Sequence, residues 1–426
     1  MNILIKNGIV IGEGIPDNET NDIYIEDGKI KKIGKNLKEN AEKVYVANGK
    51  YILPGLIDMH SKICESGYEN KDNLKRISNA AAQGGYTTLM TSPTSIPIID
   101  SKTIVDYVTS IGKRYSDVNL ITYGAMTKGC EGKEIAEMGE MVIAGVPAVS
   151  DGSKSLMNTE ILRDVFMYSK MFDIPVVTFC IDKDISGDGV VNSGYMSSKL
   201  GLRGIPREGE EIIVARNILL AIHTGARVHL SHITTKGAVK IIKLARQTCP
   251  EIKLTASTCP HYFSLTDEAI EDYNTYAKVM PPLRTKADTE DIKEGLLDGT
   301  IDIISTGHTP VSVERKNTEF DNAPFGISAL ETAFSVALSN LVDNDKFKLK
   351  DLVEKMSTKP AELLRLKNKG KIKEGYDADL IIVDINEEYE VNPEEFLSKA
   401  KYSPYSGMKF KGKILNTFVG GKCIEL

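Results

Sequence analysis

Four short stretches hold the residues that could do chemistry. Asp58-Met59-His60-Ser61-Lys62 follows an expected strand at 52–56, and Asp151-Gly152 follows one at 148–150. His232 follows 228–231, and Thr306-Gly307-His308 follows 301–305. Imidazole and carboxylate together suit a divalent metal such as zinc. His60, His232 and Asp151 are the groups that such an ion would draw together. Taken singly, a histidine beside a strand is more often a hydrogen-bonded structural residue. The argument for a site rests on the same placement, just past a strand, recurring along the chain.

Elements that could position these residues are legible in the middle of the chain. Buried-strand patterns recur at 86–90, 118–122, 148–150, 175–179, 228–231, 253–256 and 301–305. Helical patterns lie between them at 73–83, 159–170, 208–223 and 236–247. Strand and helix in repeated alternation give an α/β fold, either a parallel barrel or a doubly wound sheet. A barrel would place its chemistry at the C-terminal ends of the strands. Both chain ends have another texture, with short β-branched runs broken by Asn7-Gly8 and Asp27-Gly28 at one end and by Gly420-Gly421 at the other. They are expected to pair into one small sheet.

Composition excludes several classes. The chain has 426 residues, 41% of them hydrophobic and 26% charged, with a formal net charge of -6. That is ample for a core and too acidic to favour nucleic acid as a partner. No uncharged run is long enough to span a membrane, and the N-terminus lacks a signal-peptide pattern. Six cysteines without a CxxC pair read as reduced thiols of a cytoplasmic protein. The stretch 182–188 resembles the start of a calcium loop, but its twelfth position is Ser193 where a glutamate is needed. His223 and His261 are expected to be surface or structural residues, and Cys64 an inert thiol.

A family resemblance then emerges from ordered motifs along essentially the whole chain. Leu53-Pro54-Gly55-Leu56-Ile57-Asp58-Met59-His60 resembles the opening metal motif of the amidohydrolase superfamily. Gly201-Leu202-Arg203-Gly204-Ile205-Pro206-Arg207-Glu208, Lys278-Val279-Met280-Pro281-Pro282-Leu283-Arg284 and Ala323-Pro324-Phe325-Gly326-Ile327 are similar to segments of the type I dihydroorotases. The resemblance implies a (β/α)8 barrel over 53–366 and a β-sandwich domain composed of 1–52 and 367–426. It implies a hydrolase of pyrimidine biosynthesis that interconverts N-carbamoyl-aspartate and dihydroorotate.

The same resemblance exposes departures at the site. His60, Asp151 and His232 stand at metal positions, but Lys62, Phe179 and Gly307 replace ligands that the family supplies as His, His and Asp. Cys64, Thr94, Met280 and Val311 replace its substrate contacts, among them the arginine that grips the substrate carboxylate. The expectation is a degenerate metal site with no cofactor and little or no dihydroorotase turnover. Lys62 is expected to take the vacated metal position and pair with Asp151. Some non-catalytic members of the family act as assembly partners of aspartate carbamoyltransferase, so that role is expected here, in a homodimer. The competing reading is an active cyclic amidohydrolase, of dihydroorotase, hydantoinase or allantoinase type, with one zinc on His60, His232 and Asp151.

Overall fold

The computed structural model describes residues 2–16, 19–63, 71–342 and 346–425. Strands Leu56–Ser61, Tyr86–Thr91 and Asn119–Thr122 form one parallel sheet. Val176–Phe179, Val228–Ser231, Leu254–Thr258 and Ile303–Ile304 form a second. Val149 joins the two, bridging Gly124 on one side and Val176 on the other. The ring closes where Ser61 bridges His308, and the Lys62 N–H donates to the His308 carbonyl at 2.8 Å. The architecture is therefore a closed (β/α)8 barrel rather than an open doubly wound sheet.

Two expected strands are drawn differently. Residues 148–150 contribute a bridge instead of an extended strand. Pro147 offers no N–H to a ladder, and Asp151 is pulled away by Thr127, so pairing is confined to Val149. The expected strand at 52–56 is two strands, Tyr51–Pro54 and Leu56–Ser61. The chain changes sheets at Gly55, where a Cβ would lie 2.2 Å from the Thr87 hydroxyl oxygen. Asp58 and His60 accordingly lie within a barrel strand, not after one.

Asp58 clasps the first strand to the last. It is fully buried, and its carboxylate accepts from the Thr306 N–H and hydroxyl, both at 2.7 Å. The Ser61 hydroxyl donates to it as well. Below the mouth, Met59, Met90, Tyr123, Val177 and Ile303 fill the interior. The surrounding helices begin where the sequence provides caps. Asn158 accepts from the N–H groups of Glu160 and Ile161 ahead of Thr159–Lys170, and Thr235 from that of Ala238 ahead of Lys236–Thr248.

Strands from both chain ends share one sheet. Its order is Lys422–Cys423, Lys409–Val419, Leu380–Glu390, Tyr51–Pro54, Ile3–Val10, Thr20–Glu26 and Lys29–Gly34, with Lys43–Val46 paired to Ile3–Val10. Its apolar face buries Ile3, Ile5, Ile23, Ile25, Leu380 and Phe418. Among the described residues, no helix is long and apolar enough to cross a membrane.

Candidate functional site

His60 and His232 meet at the barrel mouth. Their ring centroids are 4.0 Å apart and the planes nearly perpendicular, at 83°. His60 comes from the first barrel strand, and His232 directly follows Val228–Ser231 with a φ of +61°. That left-handed conformation costs a non-glycine residue about 1–2 kcal/mol, so its surroundings must enforce it. Glu210 does much of this. Its buried carboxylate accepts from the Thr234 and Thr235 N–H groups at 2.8 and 3.0 Å, fixing the turn just beyond His232. Arg284 backs Glu210 at 3.8 Å and donates to the Ile205 carbonyl and the Asn192 side chain. Two of the sequence segments singled out above thus brace the turn that holds His232.

The other expected site residues divide into those brought to the mouth and those held elsewhere. Lys62, Thr94, Met280 and Gly307 line one cavity of about 530 Å³ together with His60 and His232. Phe179 is buried beside His232, the ring centroids 5.8 Å apart and the planes at 63°. Asp151 does not join the imidazoles. One carboxylate oxygen accepts from the Met126 and Thr127 N–H groups at 2.8 and 3.1 Å, and the other from the Thr127 hydroxyl at 2.6 Å. The expected pairing with Lys62 is absent, since among the described residues Lys62 makes no ion pair. The reason is local: two adjacent N–H groups and a hydroxyl satisfy Asp151 in place. Val311 packs away from this cavity, with its N–H on the Tyr402 hydroxyl at 3.3 Å. Cys64 lies outside the described residues.

Several lining residues were not singled out as site residues from sequence. Lys154, Ser92 and Ser153 stand on the cavity wall, as does His261, which the sequence reading had set aside as structural. The available signal for Lys154 and Ser153 was their place in the loop after Asp151-Gly152. The stretch 182–188 is no ion loop: Asp182 caps the short helix Lys183–Ser186.

The imidazoles here are uncharged. Burial holds His60 down to about 4 and His261 down to about 3, where the neighbouring His60 adds to the effect. Burial also drives His232 well below the usual range, reinforced by His60, His261 and His229. The Nδ1 atom of His232 is buried without a hydrogen-bond partner. Elsewhere in the barrel, His229 hydrogen-bonds Thr255 and Ser257 at 2.8 and 2.9 Å, and His308 Nδ1 accepts from the Ala329 N–H at 3.1 Å. Burial lowers both to about 3. The NMR shifts of the His229, His261 and His308 rings are therefore expected to stay at neutral-imidazole values from pH 8 to pH 5. Each contributes stability that is complete above the unfolded value of about 6.5 and is lost as pH falls toward 3. At pH 5 the loss is about 2 kcal/mol per ring. Movement of these shifts between pH 7 and 6 would contradict that burial.

Among the described residues, no three His, Cys, Asp or Glu side chains gather to hold a metal. The imidazoles of His60, His232 and His261 line the mouth without gathering as a ligand trio, and the Lys62 side chain lines the same cavity.

This architecture, a barrel with polar groups at its mouth and a sheet made from both chain ends, is that of an amidohydrolase. Residues 198–424 match the Amidohydrolase family model, and residues 49–238 match the Dihydro-orotase-like model. The dihydroorotase of Caldanaerobacter subterraneus subsp. tengcongensis is 46% identical, over 99% of this chain and 97% of that one. That of Acetivibrio thermocellus is 42% identical, over 99% of this chain and 98% of its own. Among solved structures, an L-hydantoinase (dihydropyrimidinase) from Arthrobacter aurescens superposes with a TM-score of 0.86 at 26% identity, covering 99% of this chain and 95% of that one. The chain belongs to the dihydroorotase family within the amidohydrolases.

Proposed function

We propose that this chain is a dihydroorotase-family protein of pyrimidine biosynthesis that retains the barrel without a working metal centre. It would serve in the cytoplasm as a structural partner of aspartate carbamoyltransferase. The observation that carries this reading is the engagement of Asp151 by Met126 and Thr127, which keeps its carboxylate from the imidazoles of His60, His232 and His261 at the mouth.

Catalytic zinc ordinarily takes three protein ligands, and among the described residues no three such side chains gather, so the donor set does not fit a hydrolytic ion. The one-zinc alternative needs Asp151 beside the imidazoles, and its carboxylate is committed elsewhere. A Lys62 ammonium in the same cavity would repel a divalent ion. With glycine at 307 there is no carboxylate there to move a proton from attacking water to the departing nitrogen. General acid–base catalysis of that kind is typically worth about 10²–10⁴-fold. Loss of the Lewis acid that would activate the water adds to this.

Metal analysis and a ring-opening assay with dihydroorotate on one preparation test the reading. The expected outcome is zinc well below one equivalent and no turnover above background. A full equivalent of zinc accompanied by ring opening would overturn it. The partner role predicts co-elution with aspartate carbamoyltransferase from the same organism, and separate elution would remove that part.

A further inference from the structure

We propose that residues 396–402 form a pH-sensitive strap, latched by Glu331, that is seated firmly on the barrel in acid and lifts more readily as the pH rises to neutrality. The inference starts from a loop longer than its task. Strands Leu380–Glu390 and Lys409–Val419 pair as far as Glu390 with Lys409, where a turn of a few residues would join them. The chain instead inserts residues 391–408. The loop is closed at its base by the Val391 N–H on the Met408 carbonyl and the Gly407 N–H on that of Val391, both at 2.9 Å. Connections of this length with so little regular structure are uncommon and usually do more than join two elements.

The far part of the loop lies on the barrel. The Tyr402 hydroxyl accepts from the Val311 N–H at 3.3 Å, and its ring stacks on Tyr276 with the centroids 5.0 Å apart. Ser398 and Ala400 share the wall of a recess of about 200 Å³ with Ile77, Pro310 and Val311. The stretch 309–311 on which the strap rests also reaches the barrel mouth, through Thr309.

Glu331 ties the strap down. It lies just before the short helix Ala333–Ala337, and its carboxylate accepts from the Leu397 N–H at 2.5 Å. The other oxygen, Oε2, is buried with no hydrogen-bond partner. A carboxylate half satisfied out of water is costly when ionised and much less so when it carries a proton. The groups around it do little to change that. Lys401, on the strap, favours its charge, but that ammonium donates to the Glu394 carbonyl at 2.8 Å and to that of Phe396. The Tyr389 phenol, from strand Leu380–Glu390, donates to Ser335 at 3.0 Å, and burial raises it. On the side of helix Lys71–Gln83 backbone faces it, since a Cβ on Gly84 would stand 3.4 Å from the Glu331 Cα. Arg76 of that helix and Lys399 of the strap line the recess. Burial accordingly raises the Glu331 carboxyl to about 7, against the opposing pull of the Leu397 and Ser398 N–H groups and of Lys401.

Lifting the strap returns this carboxyl to water, where a glutamate ionises near about 4.3. The seated strap is therefore favoured most below that value and progressively less up to about 7, beyond which the balance is constant. Hydrogen exchange of the 396–402 amides in the full-length protein, each rate divided by that of the unstructured chain at the same pH, reads the lifting. Protection is expected to fall about tenfold per pH unit between about pH 5 and 7 and to level off by about pH 8. Glu331→Gln, uncharged and still an acceptor, is expected to abolish the decline. Carbon-13 NMR of protein labelled at its glutamate carboxyls should show a side chain titrating near about pH 7 that is missing from the variant. The buried histidines act the other way, strengthening the fold as pH rises, so the barrel cannot imitate the trend. Wild-type protection that stays flat or rises with pH, an equal decline in Glu331→Gln, or no carboxyl titrating near 7 in the wild type would each overturn the proposal. The wild-type exchange and NMR series need no variant, so a Glu331→Gln chain that fails to fold leaves the proposal open to refutation.

Discussion

Glu210→Ala is expected to lower the free energy of unfolding by about 3–5 kcal/mol, the usual cost of removing one partner from a buried ion pair. Glu210 is fully buried and Arg284 is 2% exposed. The alanine variant would strand the guanidinium 3.8 Å from where its partner stood. It would also leave the Thr234 and Thr235 N–H groups without their acceptor. Burial pushes the Glu210 carboxyl upward, with the Arg284 cation the largest influence opposing it. The effect has a local signature. Because these threonines follow His232 almost at once, their amide hydrogens should exchange faster than the rest of the barrel in the variant. Glu210→Gln, which keeps an acceptor for the same N–H groups, should lose less. Denaturant unfolding measures both. A loss under about 1 kcal/mol for the alanine variant, the scale of a surface contact, would contradict this account.

Gly307→Asp is expected to destabilise the protein by about 3–5 kcal/mol, combining left-handed backbone strain with overpacking, and to leave zinc binding substoichiometric. Gly307 has a φ of +64°, and a Cβ there would lie 2.8 Å from Cys259 Sγ and 2.9 Å from His261 Cε1. Both neighbours are buried, so neither can swing into solvent to make room. A carboxylate at 307 is therefore not accommodated by one substitution, because the backbone there has a conformation and close neighbours suited to glycine. Gly307→Ala separates the contributions, since it carries the strain and the Cβ without the charge, and should cost about 2–3 kcal/mol. If Gly307→Asp melts at the parent temperature and takes up a full equivalent of zinc, the metal-free reading fails with this prediction.

Much of the barrel was legible in the chain. The helix Thr159–Lys170 and the strand Val228–Ser231 fall where the patterning placed them, because caps and apolar periodicity are local properties. The pairing of both ends in one sheet could also be anticipated from their shared texture. Gly55 was harder to read. A glycine permits many conformations, and only the Thr87 side chain against it shows why the chain changes sheets there.

The site divides along the same line. By itself, the sequence determined which chemical groups exist: imidazoles at His60 and His232, an ammonium at Lys62, and neither imidazole at Phe179 nor carboxylate at Gly307. Those are matters of residue identity. Only the tertiary structure decided which groups meet. Asp151 reads as a companion of the histidines until its hydrogen bonds to Thr127 are seen, and Lys154 attracts no notice until it shares a wall with Lys62. The physical reason is that a buried carboxylate goes to whichever donors the fold brings nearest, and the sequence does not record those distances.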